Sequence, residues 1–341
     1  MEYHFRNLVF EGGGVKGIAY VGAMEVLADL GILQNIKRVG GTSAGAINAL
    51  LLGLNYSPAE TRDILSSLNF NNFLDDTWGI VRDGQRLIKE FGWYKGDFFR
   101  SWVADLIRKK TGNPEATFKD VFEQKNSKGF RDIYFVGTNL STRFVEVFSY
   151  EHTPRIPLAD AVRISMSIPL FFSAVRSFRG DVYVDGGLLD NYPVKIFDRE
   201  KYVEQHMLVP DYYEQHNQQL KQMGKSINPY VYNQETLGFR LDTAKEIAVF
   251  RDQAEPEHQK IDDFFSYAWG LIETILESQG SQHLHSDDWQ RTIYIDTLGV
   301  KTTEFNLGDA KKKDLVVSGQ TNTKNYFQWY NNPANQPVNR P

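Results

Sequence analysis

Residues 5–54, FRNLVFEGGGVKGIAYVGAMEVLADLGILQNIKRVGGTSAGAINALLLGL, decide the fold of this chain. Phe5–Phe10 is a short apolar run that reads as a buried strand, and the cluster Gly12–Gly14 breaks it. From Val15 to Leu30, the residues Ile18, Val21, Ala23, Val26, Leu27 and Leu30 recur at helical spacing, with Gly31 as the C-cap. Ile36–Val39 reads as a second short strand, Gly41–Gly45 as a sharp turn, and Ala46–Leu54 as a helix of small residues and leucine. Strand, helix, strand, helix within some sixty residues is a βαβ unit, with parallel strands and a right-handed crossover. The fold class is therefore α/β.

Outward from this unit, further strands are expected at Asp132–Thr138, Arg143–Ser149, Val182–Val184 and Thr292–Ile295. Ile261–Glu277 has the pattern of an amphipathic helix. Residues 200–260 are polar and rich in Gln, Tyr and Asn, as an insertion or lid would be. With no firm linker, residues 1–330 read as one domain with its core at 5–200. The Pro-rich stretch 331–341 (NNPANQPVNRP) reads as a flexible tail.

The chain has 341 residues, enough for a sizeable core, and its 41% apolar and 24% charged residues are those of a globular protein. A net charge of −5 argues against a nucleic-acid partner, which needs a concentrated basic surface. Arg108-Lys109-Lys110 and Lys311-Lys312-Lys313 are runs short enough to be solvated helix faces. The absence of cysteine excludes disulfides, thiolate catalysis and Cys-ligated zinc, and suits a cytoplasmic setting. Glu2, His4, Arg6 and Asn7 interrupt any signal-peptide pattern, and no run of about 18 apolar residues is present. Any membrane contact is thus expected to be peripheral.

Three segments carry chemistry. Gly12, Gly14 and Gly17 form a G-x-G-x-x-G between a strand and a helix, the local context of a dinucleotide fingerprint. The acid expected at the end of the second strand is missing, because that strand runs into Val39-Gly40-Gly41-Thr42-Ser43. No G-x-x-x-x-G-K-[ST] follows either. What such a loop retains is exposed backbone N–H groups at a helix N-terminus, suited to a phosphate or an oxyanion; a turn shaped by sterics alone is the alternative. The second segment, Gly41-Thr42-Ser43-Ala44-Gly45, is a G-x-S-x-G in which a strand bends abruptly into a helix and exposes the serine. Its alternative is an ordinary serine N-cap. The third, Val182-Tyr183-Val184-Asp185-Gly186-Gly187, offers either a carboxylate base or an Asp-Gly turn.

Ser43, Asp185 and His283 or His285 run in the order of an α/β-hydrolase triad. Those histidines sit in a polar stretch, Ser281–Asp287, and read as solvated. His152 and His206 have equally polar neighbours.

The Gly-rich loop, a G-x-S-x-G one βα unit later and a distant D-G-G resemble the pattern of patatin-like phospholipases. The likeness extends to Ser165-Met166-Ser167-Ile168-Pro169 with Phe171-Phe172, to Asn191-Tyr192-Pro193, and to residues 233–240 (NQETLGFR), similar to bacterial and effector-type members. Lys16 stands where many members carry Arg. The resemblance implies a three-layer fold with a central, mostly parallel sheet flanked by helices. It implies a Ser–Asp dyad of Ser43 and Asp185, with no catalytic histidine, cofactor or metal. It makes Gly12, Gly13 and Gly14 the oxyanion loop, supported by Lys16, Gly17, Gly41, Gly45, Gly186 and Gly187. The implied substrate is a phospholipid or other acyl ester, hydrolysed by a chain peripheral at membranes or exported as an effector without a cleavable signal. An unshifted aspartate is a feeble base at neutral pH, so Asp185 is expected to be desolvated with a raised pKa. An esterase with a triad, a nucleotide-binding protein and a non-catalytic patatin-like module are the alternatives.

An acyl substrate in a bilayer calls for an apolar docking surface. Phe91, Trp93, Tyr94, Phe98, Phe99 and Trp102 are candidates, with Lys89, Lys95 and Arg100 to meet anionic head groups; a packed core helix is the alternative.

Overall fold

The computed structural model describes residues 3–74, 89–225, 228–242, 260–262, 266–267, 270–275, 279 and 287–341. Its strands are β1 (Asn7–Phe10), β2 (Arg38–Thr42), β3 (Gly92–Tyr94), β4 (Asp132–Asn139), β5 (Phe144–Ser149), β6 (Leu170–Phe172), β7 (Val175–Arg176), β8 (Val182–Asp185), β9 (Met207–Leu208), β10 (Tyr232–Asn233), β11 (Thr236–Asp242) and β12 (Thr292–Asp296). The main sheet runs β12-β11-β1-β2-β4-β8-β7, with β5 also paired to β4. Strands β12, β11, β1, β2 and β4 are parallel. Strands β5 and β8 pair antiparallel with β4, and β7 antiparallel with β8.

Alternation along β1 shows why the sheet is central. Leu8 and Phe10 enter the larger apolar core, whereas Val9 joins Tyr134, Phe197 and Tyr202 on the opposite face. A parallel sheet covered on both faces takes a continuous apolar run of this kind. On the larger core lie α1 (Ala19–Asp29), α2 (Ala44–Gly53) and a helix at Asp309–Asn331. The last packs tightly on α1: a Cβ at Gly22 would collide with the Val316 carbonyl oxygen, and one at Gly319 with that of Ala19. The other face is covered by Val194–Tyr202, to which the helix Asp211–Gln222 is tied by the Tyr213–Asp198 hydrogen bond. The architecture is α/β, with a mostly parallel central sheet flanked by helices.

The strands expected in the first two hundred residues fall within a few positions of their places, whereas the short strands β3, β6 and β7 are not among those expected. The region read as an insertion or lid differs. Within it, β9 and β10 form a small hairpin, but Thr236–Asp242 is β11, a main-sheet strand beside β1. Arg240 and Asp242 disguise that strand, because charged residues rarely occupy a buried position unless paired. Of the expected helix at Ile261–Glu277, Ser266–Tyr267 and Gly270–Ile275 are helical, and the rest lies mostly outside the described residues.

The flexible tail expected at 331–341 is also corrected. Asn331 ends the long helix, and the following segment folds back on it. Asn339 is fully buried, donating to Tyr326 Oη at 3.1 Å while its carbonyl accepts from Tyr330 Oη at 3.2 Å. Val338 N–H reaches Gln290 Oε1 at 2.7 Å. Its polar composition matches waiting partners on the helix, so the segment is ordered by hydrogen bonds that composition does not reveal.

Candidate active site

The site forms where β1 and β2 end, the usual location for ligands in open α/β sheets. Thr42 closes β2 opposite Val136, and the next residue of β4, Gly137, pairs with Asp185 at the end of β8. Strand β4 thus brings two segments 142 residues apart in sequence to the same edge.

Ser43 sits at the bend between β2 and α2 with φ 54° and ψ −124°. A non-glycine residue in that region stores about 1–3 kcal/mol of strain, which the surrounding packing must hold. The flanking glycines make the bend possible: a Cβ on Gly41 would lie 2.5 Å from the carbonyl carbon and oxygen of Gly45, and one on Gly45 would strike the Phe10 carbonyl. Ser43 donates its N–H to Ser165 Oγ at 2.9 Å, and Ser165 in turn donates to the Val136 carbonyl at 2.6 Å. Ser43 stands at the N-cap position of α2, but its side chain makes no capping hydrogen bond to the helix. Its hydroxyl lies 3.5 Å from Met166 Sδ.

Asp185 is buried, and its N–H donates to the Ser167 carbonyl at 2.8 Å. Its Oδ1 accepts the Gly187 N–H at 2.7 Å, whereas Oδ2 is buried without a hydrogen bond. Burial pushes the carboxyl up to about 7, partly offset by the Gly187 N–H and the nearby Ser43 hydroxyl. Ser165-Met166-Ser167 therefore touches both residues, Ser165 and Met166 at Ser43 and Ser167 at Asp185.

The glycine loop lies against the same serine. A Cβ on Gly12 would fall 3.0 Å from Ser43 Cβ, and one on Gly17 would fall 2.9 Å from Ala44 Cβ. Gly12 corrects one expectation: its N–H is already bonded to the Asn191 carbonyl at 3.0 Å, so it is a wall of the site and not a free donor. The N–H groups of Gly13 and Gly14 have no acceptor among the described residues. Gly14 has φ +56°, the left-handed region that favours glycine, and there a Cβ would meet the Thr302 carbonyl. Lys16 is half-buried, and its positive charge helps lower the pKa of the buried Glu11. Gly186 packs against the Val136 backbone.

Several supports were not legible as motifs. Thr42 Oγ1 donates to the Asp190 carbonyl at 2.9 Å, and Asn191 Nδ2 to the Gly12 carbonyl at 3.3 Å, tying the D-G-G turn to both other loops. Gln279 Nε2 donates to the carbonyls of Gly187 and Leu188 at 3.0 and 3.3 Å, and Gln279 Oε1 accepts the Asn191 N–H at 2.9 Å. Glu11 Oε2 accepts the Leu241 N–H at 2.8 Å and its Oε1 lies 3.4 Å from Arg240 Nε; Arg240 also pairs with Asp242 at 2.8 Å. Burial pushes the Glu11 carboxyl up, against the pull of the Arg240 guanidinium.

The histidines fare differently. His152 bonds Ser149 Oγ at 2.8 Å, and Ser149 pairs with Tyr134 toward the start of β4, the end away from Asp185. The His206 ring lies 5.2 Å from that of His4, before β1 begins. His283 and His285 lie outside the described residues. Among the described residues no group of three His, Asp or Glu side chains is placed to hold a metal ion.

Of the expected docking aromatics, Phe99 is buried, and Tyr94 and Trp102 pack on the core, while Phe91 and Phe98 are exposed. Arg100 is committed to Asp160 at 2.6 Å and Glu115 at 2.7 Å, so it is not the free cation that reading required. No described helix is long and apolar enough to cross a membrane.

Comparison with known proteins agrees with this geometry. The family model described as Patatin-like phospholipase matches residues 8–198. The uncharacterized protein YqhO of Bacillus subtilis (strain 168) is 29% identical over 94% of this chain and 98% of its own. The probable lipid hydrolase 463L of Invertebrate iridescent virus 6 is 25% identical, over 57% of this chain and 63% of its own. VipD from Legionella pneumophila shares the fold, with a TM-score of 0.59 and 18% identity over 95% of this chain and 67% of that one. The chain belongs to the patatin-like phospholipase family, and is thus a lipid hydrolase by class.

Proposed function

We propose that the chain is a serine lipid acyl hydrolase of the phospholipase A or lysophospholipase type, acting through a Ser43–Asp185 dyad and an acyl-enzyme. The observation that carries this reading is the pairing at the site: a strained, buried serine at the strand–helix bend beside a buried carboxyl raised to about 7. At neutral pH such a carboxylate is half available as a base, which an aspartate near its ordinary value of about 3.9 could not match in basicity.

In the proposed cycle Ser43 Oγ attacks the ester carbonyl as Asp185 accepts its proton. The N–H groups of Gly13 and Gly14 take the developing oxyanion, each contributing about 3 kcal/mol in comparable sites. The N-terminus of α2 and the Lys16 charge add positive potential. Asp185 then returns the proton to the departing alcohol, leaving the acyl chain on Ser43. Water, deprotonated by Asp185, attacks the acyl-enzyme; the fatty acid leaves and Ser43 regains its proton. Gly17, Gly41, Gly45, Gly186 and Gly187 hold the three loops at contact distance. Residues 1–330 act as one catalytic domain in this reading, which the pairing of β11 with β1 supports. The chain works peripherally at membranes, on the cytoplasmic side or as an exported effector.

Fluorophosphonate labelling that disappears in Ser43→Ala, together with fatty acids and lysolipids released from mixed phospholipids, is the expected result. A protein that is folded, unlabelled and inert on every lipid would instead be a non-catalytic binding module.

A further inference from the structure

Tyr267, Leu271 and Ile275 are 53%, 49% and 41% exposed, and their spacing of four places them along one side of a helix. Ile272, one residue on from Leu271, is buried in the core, so this segment has an anchored side and a separate apolar side open to solvent. Gln279, seven residues beyond Ile272, holds the Gly187 and Leu188 carbonyls of the D-G-G turn. Leu189, on that same turn, is 44% exposed. Exposed apolar residues therefore lie both on this segment and on the turn that its Gln279 holds.

We propose that Tyr267, Leu271, Ile275 and Leu189 form the face that docks on an electrically neutral lipid surface. The proposal rests on the lipid-hydrolase reading above, and three observations select the occupant. An enzyme that takes acyl chains from a bilayer needs apolar contact beside its site, because no described helix can cross one. The face is continuous with the turn that carries Asp185, through the three hydrogen bonds of Gln279. Its charge is wrong for anionic lipid: residues 261–290 contain six Asp and Glu and no Lys or Arg. The exposed Lys260 that precedes this stretch is paired with Asp262, so an acidic segment of this kind gains little from anionic head groups and is held by apolar burial.

The test is flotation of the full chain with phosphatidylcholine vesicles at low and high salt, beside the combined variant Tyr267→Ser/Leu271→Ser/Ile275→Ser. Wild type should float equally at both salt concentrations. The variant should lose at least about tenfold in bound fraction, since each change removes a side chain's worth of apolar burial. It should still hydrolyse a soluble p-nitrophenyl ester within about twofold of wild type, which also shows that it folds. Undiminished flotation of the variant overturns the proposal. So does loss of flotation only in Phe91→Ser/Phe98→Ser, or binding that needs anionic lipid and vanishes in salt. A mass by light scattering that halves in the variant would assign the face to a second copy of the chain. Flotation needs no turnover, so a protein inert on all esters would sink the hydrolase reading without deciding this one.

Discussion

Residues 10–45 build their part of the site from backbone: three glycines, a bend and a serine whose place follows from the chain's own path. Residues 235–302 act on the same loops from outside through side chains and distant carbonyls: Arg240 on Glu11, Gln279 on Gly187, and Thr302 against Gly14. The first region determines what chemistry is available. The second determines whether the loops stay in register, and damage there should be graded where damage to the first is close to all-or-none.

The sharpest test of that contrast is at the dyad. Ser43→Ala and Asp185→Asn should each lower the rate of acyl-ester hydrolysis at least about a thousandfold, and the double variant should be scarcely worse, because the pair works as a unit. In wild type the rate should rise with pH to a plateau with its midpoint near 7, as Asp185 loses its proton. The raised pKa also has a stability consequence. Burial penalises the charged form, so the folded state is favoured below the unfolded pKa of about 3.9 and progressively loses that advantage up to about pH 7. Asp185→Asn should therefore be more stable than wild type above pH 7, by about 2–4 kcal/mol in urea unfolding, and indistinguishable from it near pH 4. Retention of a tenth of wild-type activity by Asp185→Asn would remove the dyad.

The next largest effect should lie in the second region. Arg240 is a buried cation held by Glu11 and Asp242. Removing one partner of a buried ion pair strands the other, at a cost of about 3–5 kcal/mol. Arg240→Met should lower unfolding stability by that order, and Glu11→Gln in the same chain should restore at least half. Failure of the second change to restore anything would mean that Glu11 is not the group left stranded.

This contrast also explains what the sequence made readable. Gly41-Thr42-Ser43-Ala44-Gly45 is legible because the reason for each residue lies within five positions, in the approach of Gly41 to Gly45 and of Gly45 to Phe10. Strand β11 is not, because the reason a strand tolerates Arg240 lies at Glu11, 229 residues earlier. The segment 331–341 misleads in the same way: Asn339 reads as disorder until Tyr326 and Tyr330 are placed beside it. Gln279 carries no local signal at all, since its partners are the carbonyls of a turn 91 and 92 residues away.

Gln279 offers a milder probe of the same division. Gln279→Ala removes three hydrogen bonds to the turn after Asp185 but leaves every dyad and loop residue in place. A loosened turn would misplace the proposed base without abolishing it. The turnover number should fall about tenfold, with KM within about twofold. An unchanged turnover number would show that the D-G-G turn is held well enough by Asn191 and Thr42.

The smallest effects are expected at the histidines, and there the dyad meets its rival most directly. A Ser–Asp–His triad needs an imidazole between nucleophile and acid, to carry the proton and be oriented by the carboxylate. In this chain the Ser43 hydroxyl is close enough to Asp185 to help offset the rise in its pKa, and Met166 Sδ lies 3.5 Å from Ser43 Oγ. His152 and His206 are held elsewhere by Ser149 and beside His4. His216 is packed against the Tyr230 ring. His283 and His285, which follow Gln279 in sequence, are the pair to test. Converting both to Gln should leave the turnover number within a few-fold of wild type, and EDTA should change it little. A loss approaching that of Ser43→Ala, in a protein with unaltered urea unfolding, would place an imidazole in the reaction and reduce Asp185 to its orienting partner.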